Sequence, residues 1–200
     1  MASAAKGPSV TKGPTRVIGV DPGLNATGYG VIECRQSGVK LLEAGVIRLP
    51  RSHGDNLPAR LETLFDGLRE VLAEFRPQAM GLEEVYTHRD YPRTSVLMGH
   101  ARGVICLAAR LASIPVVSFP AKRVKQSVTG NGNASKTQVQ RAVQSFFSLA
   151  RAPHPPDVAD ALAVAMCFAD SRRPSANGWR DRRGRGGNPR RERRPLKTRT

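Results

Sequence analysis

Four carboxylates stand in unusual company. Asp21 ends the apolar run Val17-Ile18-Gly19-Val20 and is followed by Pro22-Gly23; Glu83 ends Ala79-Met80-Gly81-Leu82. Asp157 and Asp160 lie three apart in a segment that continues Ala-Leu-Ala-Val-Ala. That spacing puts both side chains on one helix face. Each acid alone has an ordinary explanation. Asp before Pro-Gly makes a turn, Asp157 suits the first turn of a helix, and Glu83 can pair with one of many arginines. Taken together they imply more, because bunched carboxylates repel and lose hydration unless a cation neutralises them. An all-oxygen donor set suits Mg²⁺ or Mn²⁺ rather than zinc. Four carboxylates can hold two ions roughly 4 Å apart, the arrangement that activates water and stabilises the leaving oxygen in phosphodiester hydrolysis. Glu84 adjoins Glu83. Strand alternation sends neighbours to opposite faces, so only one of the two joins the cluster, and periodicity alone leaves open which.

The elements that must position these acids are legible in outline. Short apolar runs predict strands at Arg16–Asp21, Gly28–Cys34, Val39–Leu49, Ala79–Glu83 and Ile114–Ser118. Apolar residues at helical spacing from Leu57 to Phe75 predict a helix capped by Asn56 and stopped at Arg76-Pro77. Further helices are expected over Thr94–Ala112, Pro120–Val128, Ser135–Leu149 and Pro156–Ala169. The last is apolar nearly all round and is expected to be buried. Three β segments followed by alternating β and α predict an α/β fold, a mixed sheet with helices packed against it.

Composition bounds the rest. The chain has 200 residues, 32 Lys+Arg and 16 Asp+Glu, a formal net charge of +16, and 40% apolar residues. One domain of roughly 150 residues with ends left over fits this length. The domain is placed at 15–170, after a 1–14 extension and before a 171–200 tail. The tail alone carries 12 Lys+Arg and 2 acids, so most of the excess charge belongs to it. Its Arg, Gly and Pro content with a single Trp179 predicts disorder. Two readings of it stay open: a nonspecific nucleic-acid arm, or a solubilising extension. Three scattered cysteines exclude a disulfide scaffold and favour a reducing compartment, and the first 14 residues lack the apolar core of a secretory signal. No run of 18 apolar residues is present, so no membrane span is expected and a cytoplasmic setting is.

Six stretches resemble, in order and spacing, the RuvC family of Holliday junction resolvases. They are IGVDPGLNATGYGVI (18–32), LEEVY (82–86), GHARGV (99–104), RVKQSVTGNG (123–132), SKTQVQ (135–140) and DVADALAVA (157–165). The resemblance covers nearly the whole body. It implies a ribonuclease H-like fold with a five-stranded mixed sheet flanked by helices. It also implies a homodimer that nicks two strands of a four-way DNA junction symmetrically with Mg²⁺ or Mn²⁺, leaving 5′-phosphate ends. The family's acidic tetrad falls on Asp21, Glu83, Asp157 and Asp160, which selects Glu83 over Glu84 and leaves His154 outside the set. Lys125 and Lys136 fall on basic positions that meet the phosphate backbone or assist the site, and Tyr86 on an aromatic position that stacks on a base. The helix with Gly99, Ala101 and Gly103 resembles the family's dimer helix. The family works with the RuvAB branch-migration complex.

Some features depart from the family or have second readings. The segment 88–93 differs from the usual family loop, and Arg89 and Arg93 there can reach phosphates or simply face water. The loop Thr129–Asn133 precedes a helix, and its backbone N–H groups are candidates for holding a DNA phosphate. Three other functions compete: an RNA-processing nuclease of the same fold, a nucleotide-binding actin-like domain, and a non-catalytic basic scaffold. The motifs around Lys125 and Lys136 disfavour the first, the chain length the second, and the complete tetrad the third.

Overall fold

The computed structural model describes residues 15–23, 25–49, 56–85 and 92–172. Five strands form one mixed sheet in the order β3-β2-β1-β4-β5. They are β1 (Thr15–Asp21), β2 (Ala26–Arg35), β3 (Gly38–Arg48), β4 (Ala79–Glu83) and β5 (Val116–Phe119). β1, β2 and β3 are an antiparallel meander, while β4 runs parallel to β1 and β5 parallel to β4. The carboxyl ends of β1 and β4 therefore lie side by side, carrying Asp21 and Glu83 to one end of the sheet.

Helices cover both faces. α1 (Leu57–Phe75) and α2 (Pro92–Leu111) pack on one; α3 (Ala121–Thr129), α4 (Lys136–Phe146) and α5 (Pro156–Ser171) pack on the other. Strand alternation sorts the core accordingly. Ile18, Val20, Met80 and Leu82 face α1 and α2, whereas Val17 and Ala79 face α5. Gly19, Gly81, Asp21 and Glu83 share the α5 side by the same alternation. Glu83 thus turns toward α5, while Glu84 lies just beyond the end of β4.

The expected elements are all present, α1 and β4 with the expected bounds and the others with shifted ends. Asn56 caps α1, its Oδ1 accepting from the Ala59 N–H at 3.2 Å. Arg76 ends the helix in a left-handed conformation. β5 begins two residues late, because Pro115 has no N–H to give the ladder and contributes only its carbonyl, which accepts from Met80 at 2.9 Å. α4 starts at a reciprocal capping box between Ser135 and Gln138 and stops at Phe146, short of Leu149. Among the described residues no helix is long and apolar enough to cross a membrane. None of the three cysteines, all among the described residues, forms a disulfide.

Helix α5 is buried along nearly its whole length, from Val158 to Ala169. It sits unusually close to the sheet. Gly30, Gly19 and Gly81 form one row across β2, β1 and β4. A Cβ on Gly19 would overlap the Ala161 carbonyl and the Ala165 amide; one on Gly30 would come within 2.6 Å of Leu162. A Cβ on Gly28, the strand partner of Asp21, would strike the Asp157 carbonyl. The glycines thus let the α5 backbone lie on the strands, and this close seat sets the height of its two aspartates above Asp21.

Candidate active site

Three elements deliver the four acids to one end of the sheet. β1 brings Asp21, β4 brings Glu83, and the N-terminal end of α5 brings Asp157, in its first turn, and Asp160, just beyond it. Their charges act on one another. Asp21 is largely buried, and burial raises its carboxyl well above the usual carboxylate range, with further increments from Glu83, Asp160 and Asp157. Burial, then the Asp160 charge, pushes Glu83 up to about 7, against the pull of Lys125 and Lys136. Asp160 is raised chiefly by burial and by Asp157, with Lys136 and Lys125 opposing.

Two lysines border the cluster. Lys136, the first residue of α4, places Nζ 3.7 Å from Asp160 Oδ2 and remains 76% exposed. Lys125 on α3 acts on both Glu83 and Asp160. The sequence-predicted acids and both lysines therefore share one electrostatic neighbourhood. Tyr86 and residues 87–91 lie outside the described residues, as do 1–14 and the tail from 173 onward. Arg93 is exposed at the start of α2, and His154 is exposed just ahead of α5.

The donor set fits a hard divalent cation. It is made of carboxylates, with no thiolate or imidazole among the four, and burial is the first cause of the raised carboxyls of Asp21, Glu83 and Asp160, ahead of their mutual repulsion. The side chains do not yet close on one point. Among the described residues no three His, Cys, Asp or Glu groups are arranged to hold a metal ion together. The fold brings the acids within electrostatic reach of one another.

The loop before α4 corrects one expectation. Every backbone N–H from Gly130 to Ser135 already donates within the chain. Gly130 donates to Gln126 O, Asn131 to Thr129 Oγ1, Gly132 to Gln126 Oε1 and Asn133 to Asn131 Oδ1. Ala134 donates to Asn131 O and Ser135 to Gln138 Oε1. None of these groups is left for a phosphate. The loop is instead a closed brace that holds the end of α3 against the start of α4, and with it Lys136.

The small residues of α2 also divide. Ala101 is buried against its own core, while Gly99 and Gly103 open outward with nothing within 4 Å of a built Cβ. Around that outer face Val96, Leu107 and Leu111 are 60%, 52% and 66% exposed. Sequence reasoning passed over one more residue, on the face of the sheet opposite the acids. Arg102, inside the GHARGV stretch, reaches from α2 to β5 and donates from Nη2 to Ser118 Oγ at 2.7 Å.

Comparison with known proteins agrees with this architecture. Residues 17–168 match the family profile described as "Crossover junction endodeoxyribonuclease RuvC". A curated protein of that name from Rhodopirellula baltica is 50% identical over 151 residues, covering 76% of this chain and 84% of the relative. The solved structure "T. thermophilus RuvC in complex with Holliday junction substrate" superposes with a TM-score of 0.70 at 32% identity, covering 78% of this chain and 93% of that one. The yeast mitochondrial Holliday junction resolvase Ydc2, at 16% identity and a TM-score of 0.59, shares the fold. With the profile spanning most of its length, the chain belongs to the RuvC family of crossover junction endodeoxyribonucleases.

Proposed function

We propose that this protein is a Holliday junction resolvase, nicking two strands of a four-way DNA junction symmetrically and leaving 5′-phosphate and 3′-hydroxyl ends. The gathering of Asp21 and Glu83 beside Asp157 and Asp160 of α5, in a chain of this family, carries the reading. These four side chains would hold two Mg²⁺ ions, with Mn²⁺ able to substitute. Bound there, the ions supply an acidified water for attack on phosphorus and charge compensation for the leaving 3′-oxygen. The carboxylates' part is to orient that chemistry and to favour a hard cation over a softer one. Lys125 and Lys136, at the rim, take the phosphates of the strand to be cut, and Tyr86 stacks on a base near the crossover.

A junction presents two equivalent strands, and a two-fold pair of sites would cut both. The outer face of α2, with its open glycines and exposed Val96, Leu107 and Leu111, is the surface offered for a second copy. Residues 15–170 form the nuclease unit, and 171–200 serve as a basic arm that adds salt-sensitive affinity. Residues 1–14 are a terminal extension. Family membership supports a cytoplasmic setting and cooperation with the RuvAB branch-migration complex.

The test is cleavage of a synthetic four-way junction with Mg²⁺. Asp21→Asn should abolish product while junction binding in EDTA persists. Retained cleavage in that variant overturns the assignment.

A further inference from the structure

β5 is a four-residue edge strand, so few ladder bonds hold it. Glu84 donates to Phe119 O at 3.0 Å and Met80 to Pro115 O. Its position depends on what grips its two faces. On the α5 side, the Phe119 and Phe168 rings meet edge-on with centroids 6.1 Å apart. On the α2 side, the grip is Arg102 Nη2 on Ser118 Oγ. Ser118 pairs with Leu82, and Phe119 with Glu83. Arg102 therefore fixes β5 one residue before the strand partner of Glu83.

As a stabilising device this contact is poor. Arg102 Nη1 is buried with no hydrogen-bond partner among the described residues. A guanidinium with five donors, set against a neutral hydroxyl and partly desolvated, stabilises no more than an apolar side chain of similar length. Its value lies in geometry. A hydrogen bond fixes distance and direction where an aliphatic contact lets the strand slide. A misplacement of about 1 Å at a reacting centre costs on the order of 10²-fold in rate.

We propose that Arg102 is a positioning residue for the Glu83 carboxylate, acting through Ser118 and the β4–β5 pairing. The proposal rests on the reading that Glu83 belongs to the cation-holding cluster. The variants are Arg102→Met, Ser118→Ala and Ser118→Thr in the full chain, with Glu83→Gln as control. Three quantities are measured: Tm, junction affinity in EDTA, and single-turnover cleavage against Mg²⁺ concentration. Mn²⁺ affinity of the DNA-free protein is read separately by electron paramagnetic resonance. Arg102→Met and Ser118→Ala should keep Tm within about 3 °C and junction affinity within about twofold. The Mg²⁺ needed for half-maximal cleavage should rise about fivefold or more, with a parallel loss of Mn²⁺ affinity. Ser118→Thr, which keeps the hydroxyl, should restore both.

Unchanged Mg²⁺ and Mn²⁺ dependence in Arg102→Met and Ser118→Ala would overturn the proposal. So would a loss of Tm and junction binding in proportion to the loss of cleavage, which marks a structural role. Wild-type cleavage by Glu83→Gln would instead remove the reading of the site on which the proposal stands.

Discussion

The Lys136 ammonium lies 3.7 Å from Asp160 Oδ2, an exposed cation resting on a carboxylate that is 18% exposed. The same lysine lowers the proton affinity of Asp21 and Glu83. It occupies the rim where a DNA phosphate and the acids would meet. An exposed pair of this kind stabilises the fold by at most about 1 kcal/mol. Lys136→Gln should therefore leave Tm nearly unchanged. Single-turnover junction cleavage should fall on the order of tenfold or more, and the salt dependence of junction binding should flatten by about one in slope. An unaltered slope with unaltered rate would show that Lys136 meets neither DNA nor the site.

Glu83 provides a pH test. Its carboxyl is pushed up to about 7 from the usual 4.5, mainly by burial and then by Asp160. The folded state thus holds this proton more tightly than the unfolded chain does. Its stabilising contribution is complete below about pH 4.5 and is lost as pH rises through about 7. Asp21 and Asp160 act in the same direction. In EDTA, Tm should fall between pH 5 and pH 8. Glu83→Gln should reduce that slope and stabilise the protein at pH 8 by about 1–2 kcal/mol. Millimolar Mg²⁺ should flatten the wild-type curve. Thermal melts across pH check all three, and equal slopes for wild type and variant would count against the charge cluster.

Gly19 tests the seat of α5. A methyl group there would overlap backbone atoms of Ala161 and Ala165, which cannot rotate away. Gly19→Ala should destabilise by about 3 kcal/mol and lower Tm by roughly 10 °C. Because α5 carries Asp157 and Asp160, the folded fraction should also cleave slowly. Circular dichroism melts paired with cleavage at a permissive temperature separate the two effects.

Leu107 tests the second copy. It is 52% exposed on α2, beside Gly103. Leu107→Glu buries an unpaired charge only if another chain covers this face, at a cost of about 2–5 kcal/mol in association. Sedimentation should show a dimer for wild type and a monomer for the variant at the same concentration, with little change in monomer fold. Identical sedimentation would place the contact elsewhere.

Much of this was open to reading from the chain alone. Asp21 and Glu83 betray themselves because acids ending apolar strands are costly without a partner, and Asp157 and Asp160 because a spacing of three on a helix is a shared face. Residue type and local periodicity decide such things, since strand, helix and cap preferences act over a few neighbours. Ser135 with Gln138, and Asn56 before α1, announce helix starts for the same reason.

Other features needed partners far away in sequence. Glu83 faces the cluster because β4 pairs in parallel with β1, which puts Ala79, Gly81 and Glu83 on the α5 side. The loop before α4 looked like a phosphate cradle, yet Gln126, Thr129, Asn131 and Gln138 consume its N–H groups. The small residues of α2 look alike in sequence but split between core and surface. The Arg102–Ser118 contact links residues 16 apart across two elements. The sequence by itself determined which chemistry was affordable: oxygen donors, basic rim residues, and strands and helices in workable order. Tertiary structure decided which atoms are free to perform it, because faces and hydrogen-bond vacancies are set by register and packing between distant segments.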